Sequence, residues 1–141
     1  MEILNRDQIK TFLPHREPML LVDDVTKEGD EAVAHYHVRG DEFFLQGHFP
    51  GNPIVPGVIL CEIMAQACSQ LFVEVFAENL VMYRGLDAVK FRGTVRPGDL
   101  CEVSASLIES KGTLYVCDAA LSVSGRRCAQ ARITLAAVPK D

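Results

Sequence analysis

Towards the C-terminus of this chain, hydrophobic positions alternate with mostly polar ones. Apolar side chains fall at every second position in residues 101–107, 115–123 and 129–135. This period of two is typical of strands that bury one face. The dipeptides at 111–112 and 124–125 both end in glycine, which favours tight turns between neighbouring strands. The pattern therefore predicts a meander of three antiparallel strands.

Residues 57–77 follow a different pattern and are apolar over almost their whole length. Five polar side chains interrupt the segment: Glu62, Gln66, Ser69, Gln70 and Glu74. They make it too polar for a membrane span. The segment fits a long helix that is buried on all sides, and such a helix has to be enclosed by the rest of the fold.

Shorter patterns complete the predicted architecture. A helix over residues 6–12 follows the capping residue Asn5, and Pro14 ends it. Three further segments predict strands by their alternation or apolar content: residues 19–26, 32–39 and 80–91. The chain is therefore predicted to be one α+β domain over residues 1–141, with a long central helix wrapped by a curved antiparallel sheet of about six strands. Free sheet edges favour a dimer that continues the sheet.

Composition narrows the classes of function. The formal net charge of −5 argues against a general nucleic-acid binder, although a local basic patch for an acidic protein partner is compatible with it. The five cysteines form no CxxC pair, and most of them fall at core-facing positions, which predicts reduced thiols in a cytosolic protein. The N-terminus mixes charges early and lacks the apolar core of a signal peptide.

The segment GHFPGNPIVPGVILCEIMAQ, residues 47–66, carries the candidate chemistry. His48 lies in a loop stiffened by three prolines, and Glu62 lies on the apolar helix that follows. A base on a constrained loop and an acid on a buried helix suit proton transfer. Gly57 begins the helix, where unsatisfied backbone N–H groups can stabilise a nearby negative charge. Gln66 lies one turn beyond Glu62 on the same face.

This segment resembles the signature of the β-hydroxyacyl-acyl-carrier-protein dehydratases of bacterial fatty-acid synthesis, the FabZ type. LPHREPMLLVDDV at residues 13–25 and LDAVKFRGTVRPGD at residues 86–99 extend the resemblance over nearly the whole chain. It implies the hot-dog fold and a dimer, often three dimers in a hexamer, with two active sites per dimer. In that family the catalytic His and Glu of one site come from different subunits, and the matching positions here are His48 and Glu62.

The resemblance implies dehydration of an (R)-3-hydroxyacyl thioester to the trans-2-enoyl product. We assign His48 as the base on C2 and Glu62 as the acid that protonates the leaving hydroxyl, directly or through a water. The apolar neighbours of Glu62 favour its neutral form and the helix N-terminus favours the carboxylate, so the residues leave its protonation open. The resemblance implies no metal or redox cofactor. The substrate arrives on the phosphopantetheine of the acyl carrier protein.

Further residues are expected around the substrate. Gly57 is the expected backbone donor to the thioester carbonyl, and Gln66 is expected to bind the Glu62 carboxylate or a water. Phe49, Ile54 and Val58 are expected to line the acyl group. Met82 and Tyr83 are weaker candidates for a gate at the far end of the tunnel.

Other residues of chemical interest receive structural interpretations. His35 and His37 share a strand face but lack a third metal ligand. His15, in the motif LPHREP, is expected to fix the N-terminal segment, with contact to the substrate as the alternative. Gly85 suggests a bulge, and Arg84 before it is unusual for the family, which leaves the preferred acyl length open. No cysteine lies in a sequence context that indicates a nucleophile.

Two basic groups are candidates for contact with acyl carrier protein. The favoured group is Lys90, Arg92 and Arg96, and the second is Arg126, Arg127 and Arg132. The alternative for both is ordinary solvated charge. The sequence therefore predicts a cytoplasmic homodimeric or hexameric dehydratase that binds acyl carrier protein and neither nucleic acid nor a membrane. The rival hypotheses are a hot-dog thioesterase and a non-catalytic acyl-carrier-binding module.

Overall fold

A long helix packed against one antiparallel sheet forms the framework of the computed structural model, which describes residues 3–140. The helix, α2, spans Gly57–Ser69, and Leu60 to Ser69 are buried except for Glu62. It packs across the sheet against four of its strands, at residues 31–37, 100–111, 114–123 and 126–139. The prediction of an enclosed apolar helix is thus confirmed.

The sheet has seven antiparallel strands in the order β1-β2-β3-β5-β6-β7-β4. Their bounds are β1 Ile3–Asn5, β2 Asp24–Glu28, β3 Glu31–His37, β4 Asn79–Phe91, β5 Leu100–Lys111, β6 Leu114–Val123 and β7 Arg126–Pro139. The predicted meander is present as β5, β6 and β7. The count is one above the predicted six, because the three-residue strand β1 pairs with β2 and is too short to show an alternating pattern.

The N-terminal segment differs from its prediction. Helix α1 spans Arg6–Ile9 and is capped by Asn5 as expected, but it stops before residue 12. The predicted strand over residues 19–26 is wrong at its start, since β2 begins at Asp24. Residues 20–22 are buried there without joining the sheet, and the backbone N–H of Leu21 donates to a side chain of α2.

The second half of the predicted long helix is not α-helical. After Ser69 the chain continues in 3₁₀ turns over Gln70–Ala77, and Phe72 has non-helical φ and ψ angles of −143° and 49°. By length and hydropathy alone, the segment Gly57–Ala77 could cross a membrane, with a mean hydropathy of 1.5. Because 61% of its most apolar window is buried inside the protein, we assign it as the core helix of the fold.

Strand β4 is an edge strand with an exposed apolar surface. It pairs with β7 on one side and ends the sheet on the other. Its exposed apolar side chains are Leu80, Met82, Tyr83, Leu86 and Phe91. A long apolar edge is the kind of surface that a second chain covers by strand pairing.

Candidate functional site

The Glu62 carboxyl lies at the centre of a set of hydrogen-bond donors from three parts of the fold. The hydroxyl of Tyr83, on β4, donates to Oε1 at 2.9 Å. Gln66 Nε2, on α2, donates to Oε2 at 2.9 Å. His15 Nε2, in the segment after α1, lies 3.4 Å from the same oxygen. Both carboxyl oxygens are therefore bound by residues that lie outside the helical turn carrying Glu62.

These donors decide the ionisation of Glu62 in the substrate-free chain. Burial acts to raise the pKa of Glu62, but the hydrogen bonds from His15, Gln66 and Tyr83 outweigh it, so the pKa is lowered. Burial and the neighbouring carboxylate raise the pKa of Tyr83, which keeps its hydroxyl protonated and able to donate. The sequence left the ionisation of Glu62 open, and the contacts favour the carboxylate.

Gln66 also fixes the segment that carries His15. Its Oε1 accepts a hydrogen bond from the backbone N–H of Leu21 at 2.8 Å, and its Nε2 donates to the carbonyl of Met19 at 2.7 Å. Together with the bond to Glu62, these contacts give both the oxygen and the nitrogen of the buried Gln66 amide a hydrogen-bond partner. One side chain of α2 thus joins the carboxyl to residues 19–21, and these follow His15 closely in the chain.

Two cavities meet at Glu62 and Tyr83. The larger, of about 330 Å³, has a polar side formed by His15, Glu62, Gln66, Ser69 and Tyr83, and an apolar side formed by Ala65, Phe76, Val81, Met82 and Leu135. The smaller, of about 200 Å³, is lined by Val58, Cys61, Glu62, Tyr83 and Leu86. An apolar cavity with a few convergent polar groups is the usual form of a small-molecule site. A groove of about 510 Å³ on the outer sheet face contains none of these residues.

His48 is held in a form suited to accept a proton. Its Nδ1 lies 2.9 Å from the carbonyl oxygen of Ile54, and its ring stacks on Phe49 with centroids 4.2 Å apart. A carbonyl only accepts hydrogen bonds, so Nδ1 carries the hydrogen and the neutral ring has its lone pair on Nε2. His48 lines neither cavity that contains Glu62, so a single chain does not bring the two residues together around one cavity.

The first turn of α2 has unsatisfied backbone donors beside an aromatic ring. The N–H groups of Gly57 and Val58 have no acceptor among residues 3–140. A Cβ on Gly57 would lie 3.0 Å from Cζ of Phe91, tighter than ordinary contact, so the ring packs directly over the glycine. Val58 is 76% exposed and Phe49 52% exposed. Within one chain Phe49 lines neither cavity, and Val58 borders the smaller one but stays mostly exposed.

The favoured basic group lies beside the His48 loop. Lys90, Arg92 and Arg96 are all exposed, and Arg96 Nη1 donates to Oδ1 of Asn52 at 2.8 Å. The guanidinium of Arg126 packs against Gly93. Arg126 of the second basic group thus lies beside the segment that carries the first group.

Sequence reasoning missed three residues of this site. Tyr83 was expected only as a gate, His15 as a structural residue with substrate contact as the alternative, and Phe91 had no expected role. For Tyr83 the available signal was Gly85, since a bulge shifts which side chains face inward. His15 contacts a residue 47 positions away in the chain, and nothing in either local pattern indicates that pairing.

The other chemical candidates lie apart from the cavities. His35 contacts Asp24 and Glu102 on the outer sheet face, and within residues 3–140 no three His, Cys, Asp or Glu side chains are grouped as a metal site would require. All five cysteines are buried, and none of them forms a disulfide. Burial raises the pKa of Cys61, beside Glu62, so that its thiol stays neutral.

Comparison with known proteins identifies the family. The FabA-like domain matches residues 13–132. The chain belongs to this family. A Clostridium botulinum relative named 3-hydroxyacyl-[acyl-carrier-protein] dehydratase FabZ is 38% identical over 136 residues, covering 94% of each chain. A Streptococcus sanguinis relative of the same name is 40% identical over 137 residues, covering 95% of this chain and 98% of the relative.

Solved structures that align with this chain confirm the fold. A dehydratase heterocomplex, ApeI:P from Xenorhabdus doucetiae, aligns with a TM-score of 0.81 at 21% identity, covering 94% of this chain and 91% of that chain. A hypothetical thioesterase from Streptococcus pneumoniae, solved with coenzyme A, aligns with a TM-score of 0.62 at 14% identity over 93% and 91%. At these identities the likeness concerns architecture alone, and the predicted hot-dog fold is confirmed.

Proposed function

We propose that this protein dehydrates (R)-3-hydroxyacyl-acyl carrier protein to the trans-2-enoyl product in fatty-acid synthesis. The observation that carries the proposal is the match, over nearly the full length, to relatives named for this activity. The carboxyl of Glu62, enclosed by donors beside an apolar cavity, supports it. Neither a metal nor a redox cofactor enters the proposed reaction.

His48 takes the proton from C2 in this mechanism. Its Nε2 carries the free lone pair, because Nδ1 is engaged with the carbonyl of Ile54. Negative charge then develops on the thioester oxygen. The N–H of Gly57 is the proposed donor to that oxygen, since it is unsatisfied at a helix N-terminus.

Glu62 delivers a proton to the C3 hydroxyl as it leaves. The electron pair of the C2–H bond becomes the second bond between C2 and C3, the C3–O bond breaks, and the oxygen departs as water. The bound acyl chain excludes water from Glu62, and this desolvation raises the pKa of the carboxyl towards the protonated form. Glu62 takes up this proton from solvent as the substrate binds, and after turnover His48 releases to solvent the proton that it took from C2, which restores the carboxylate and the neutral imidazole.

The complete site requires a second copy of the chain. In one chain His48 is absent from the cavities that contain Glu62, and the Val58 and Phe49 side chains are more than half exposed. The exposed edge of β4 gives a second copy a strand to pair with. In the proposed dimer, His48 of one copy faces Glu62 of the other, Phe49, Ile54 and Val58 line the acyl group, and three dimers can form a hexamer.

Acyl carrier protein is the proposed partner, and it brings the substrate on its phosphopantetheine arm. Lys90, Arg92 and Arg96 form the proposed docking surface, because they are exposed and Arg96 is tied to Asn52 in the His48 loop. Arg126 lies against Gly93 and adds to the same surface. An acidic carrier bound by these charges meets the chain in the cytoplasm, and its association should weaken with salt.

The test is the product formed from a 3-hydroxyacyl-acyl carrier protein. The proposal expects an enoyl thioester, detected by mass spectrometry, whereas a thioesterase would give free thiol on the carrier. His48→Ala should lower turnover by about 10²- to 10⁴-fold. Wild-type turnover in this variant would contradict the role of His48, and the absence of any product in wild type would favour a non-catalytic carrier-binding module.

Mixed dimers test the shared site. Chains carrying His48→Ala and chains carrying Glu62→Gln are co-expressed with different tags and purified as heterodimers. If each site combines both copies, one site in the heterodimer loses both groups and the other keeps both, so activity returns to about half of wild type. A heterodimer as inactive as its parents would contradict the shared site while leaving the dehydratase activity itself intact.

A further inference from the structure

A bulge in β4 brings Tyr83 to the inner side of the sheet. Tyr83 pairs with Leu135 of β7, while Gly85 pairs with Thr134, so Arg84 is an extra residue without a partner. Leu86 then pairs with Ile133. Leu135 and Ile133 are both buried, so the bulge places Tyr83 and Leu86 on the same inner face although they are three positions apart. Without it, strict alternation would direct one of them outward.

The two oxygens of Glu62 are served by different donors. Oε2 faces both Gln66 Nε2 and His15 Nε2, whereas the hydroxyl of Tyr83 is the donor to Oε1 among residues 3–140. The Glu62 side chain is only 18% exposed, so water replaces a lost donor poorly. The orientation of Oε1 therefore depends on one phenol from a different element of the fold.

The same hydrogen bond lies between the two cavities. Glu62 and Tyr83 are the residues that line both of them. A ligand atom that enters from either cavity meets the Oε1 and hydroxyl pair at their junction. The position of Tyr83 thus determines how Glu62 is presented to whatever occupies the cavities.

We propose that Tyr83 is a positioning residue for Glu62: its hydroxyl fixes the orientation of the carboxyl and favours its ionised form between turnovers. The titratable groups facing this carboxyl are His15 from the N-terminal segment, Tyr83 from β4 and Cys61 from α2 itself. Cys61 keeps its proton, because burial raises the pKa of its thiol. The catalytic meaning of the inference rests on the proposed function, whereas the effect on ionisation does not.

Tyr83→Phe tests the inference by removing the hydroxyl and keeping the ring. Without this donor the carboxylate loses stabilisation, so the pKa of Glu62 should rise. The pKa is measured in the substrate-free protein by following the ¹³C carboxyl resonance of labelled glutamate, assigned by comparison with Glu62→Gln. In the enzyme, the limb of the kcat/KM profile that reports Glu62 should move to higher pH.

Tyr115→Phe is the matched control, because Tyr115 stacks on Phe72 at 4.2 Å and lines neither cavity of the site. It should leave the Glu62 titration and the pH profile unchanged. An equal pKa of Glu62 in wild type and in Tyr83→Phe would overturn the inference, even if the variant is an active enzyme. A raised pKa in a protein that forms no enoyl product would support the positioning role and contradict the proposed function, so the two failures are distinguishable.

Discussion

Two histidines of this protein contact carboxylates, and their surroundings differ. On the outer sheet face, His35 of β3 lies between Asp24 of β2 and Glu102 of β5, with Nδ1 2.7 Å from one carboxylate and Nε2 3.1 Å from the other. All three residues are directly opposite one another in the strand register. Local strand pairing is therefore enough to bring them together.

At the cavity, His15 and Glu62 come from distant parts of the chain. His15 Nε2 lies 3.4 Å from Glu62, and its buried Nδ1 has no hydrogen-bond partner within residues 3–140. A protonated ring would leave a buried N–H without an acceptor, so the neutral tautomer with its hydrogen on Nε2 fits the contact better. In that tautomer the Nε2–H of His15 donates to Glu62.

The comparison teaches that an imidazole–carboxylate contact does not by itself indicate a reactive site. His35 has a partner on each ring nitrogen and faces solvent, so its contacts are complete and its charge is screened. Glu62 is enclosed by donors from three parts of the fold beside apolar cavities, where a change of protonation or of one donor has a large effect. Burial beside the cavities distinguishes the Glu62 carboxyl from the carboxylates that contact His35. Substitutions at matched positions test that distinction.

Removing the charge of each carboxylate should produce the largest difference. Glu62→Gln removes the proposed acid and should lower kcat by about 10²- to 10⁴-fold. Glu102→Gln, its counterpart on the outer face, should change kcat by less than about twofold, because surface pairs of this kind contribute little. Turnover of 3-hydroxyacyl-acyl carrier protein measures both. Near-wild-type turnover in Glu62→Gln would remove Glu62 from the mechanism.

Removing each imidazole should give a smaller contrast. His15→Leu has a similar volume but no donor, and loss of a long hydrogen bond to a charged group should lower kcat/KM by about twofold to tenfold. His35→Leu should leave kcat/KM unchanged, since His35 is remote from both cavities. Both are measured on the same substrate at neutral pH, with folding checked by circular dichroism. Equal losses in the two variants would show that His15 acts only through general stability.

The sequence predicts the framework of this fold better than its N-terminal segment. Strands β5, β6 and β7 bury one face each, so alternation identifies them. Residues 20–22 are buried and apolar as a strand would be, but the N–H of Leu21 bonds to the side chain of Gln66 instead of to a neighbouring strand. Periodicity records burial and not the identity of the hydrogen-bond partner, which is why the strand predicted over residues 19–26 begins too early.

The site, like the fold, has one part that the sequence predicts and another that it does not. The loop and helix motif carries His48, Gly57, Glu62 and Gln66, and the four-residue spacing of the last two predicts their contact, which the structure contains at 2.9 Å. Gly85 predicts a bulge, and the bulge is present at Arg84. Which side chain the bulge turns towards α2 depends on the register with β7, and a single sequence does not contain that register. The roles of these residues in catalysis stay predictions.

The smallest expected effect is the pH dependence that His35 gives to stability. Burial acts to lower the pKa of His35, but the hydrogen bonds and charges of Asp24 and Glu102 outweigh it and raise the pKa above its usual value. The stabilisation is therefore complete below about pH 6.5, the ordinary histidine value, and is lost as the pH rises through the folded-state pKa.

Wild type should thus exceed His35→Gln in the free energy of unfolding at pH 5.5, with a smaller difference at pH 9, and the change should stay below about 1 kcal/mol because the groups are solvent-screened. Urea unfolding at the two pH values measures it. His37→Gln is the control, since His37 is exposed on the same strand and its ring makes no hydrogen bond within residues 3–140. A difference between wild type and His35→Gln that is independent of pH would mean that His35 stabilises the sheet without its charge, and the contrast with the cavity would then rest on Glu62 alone.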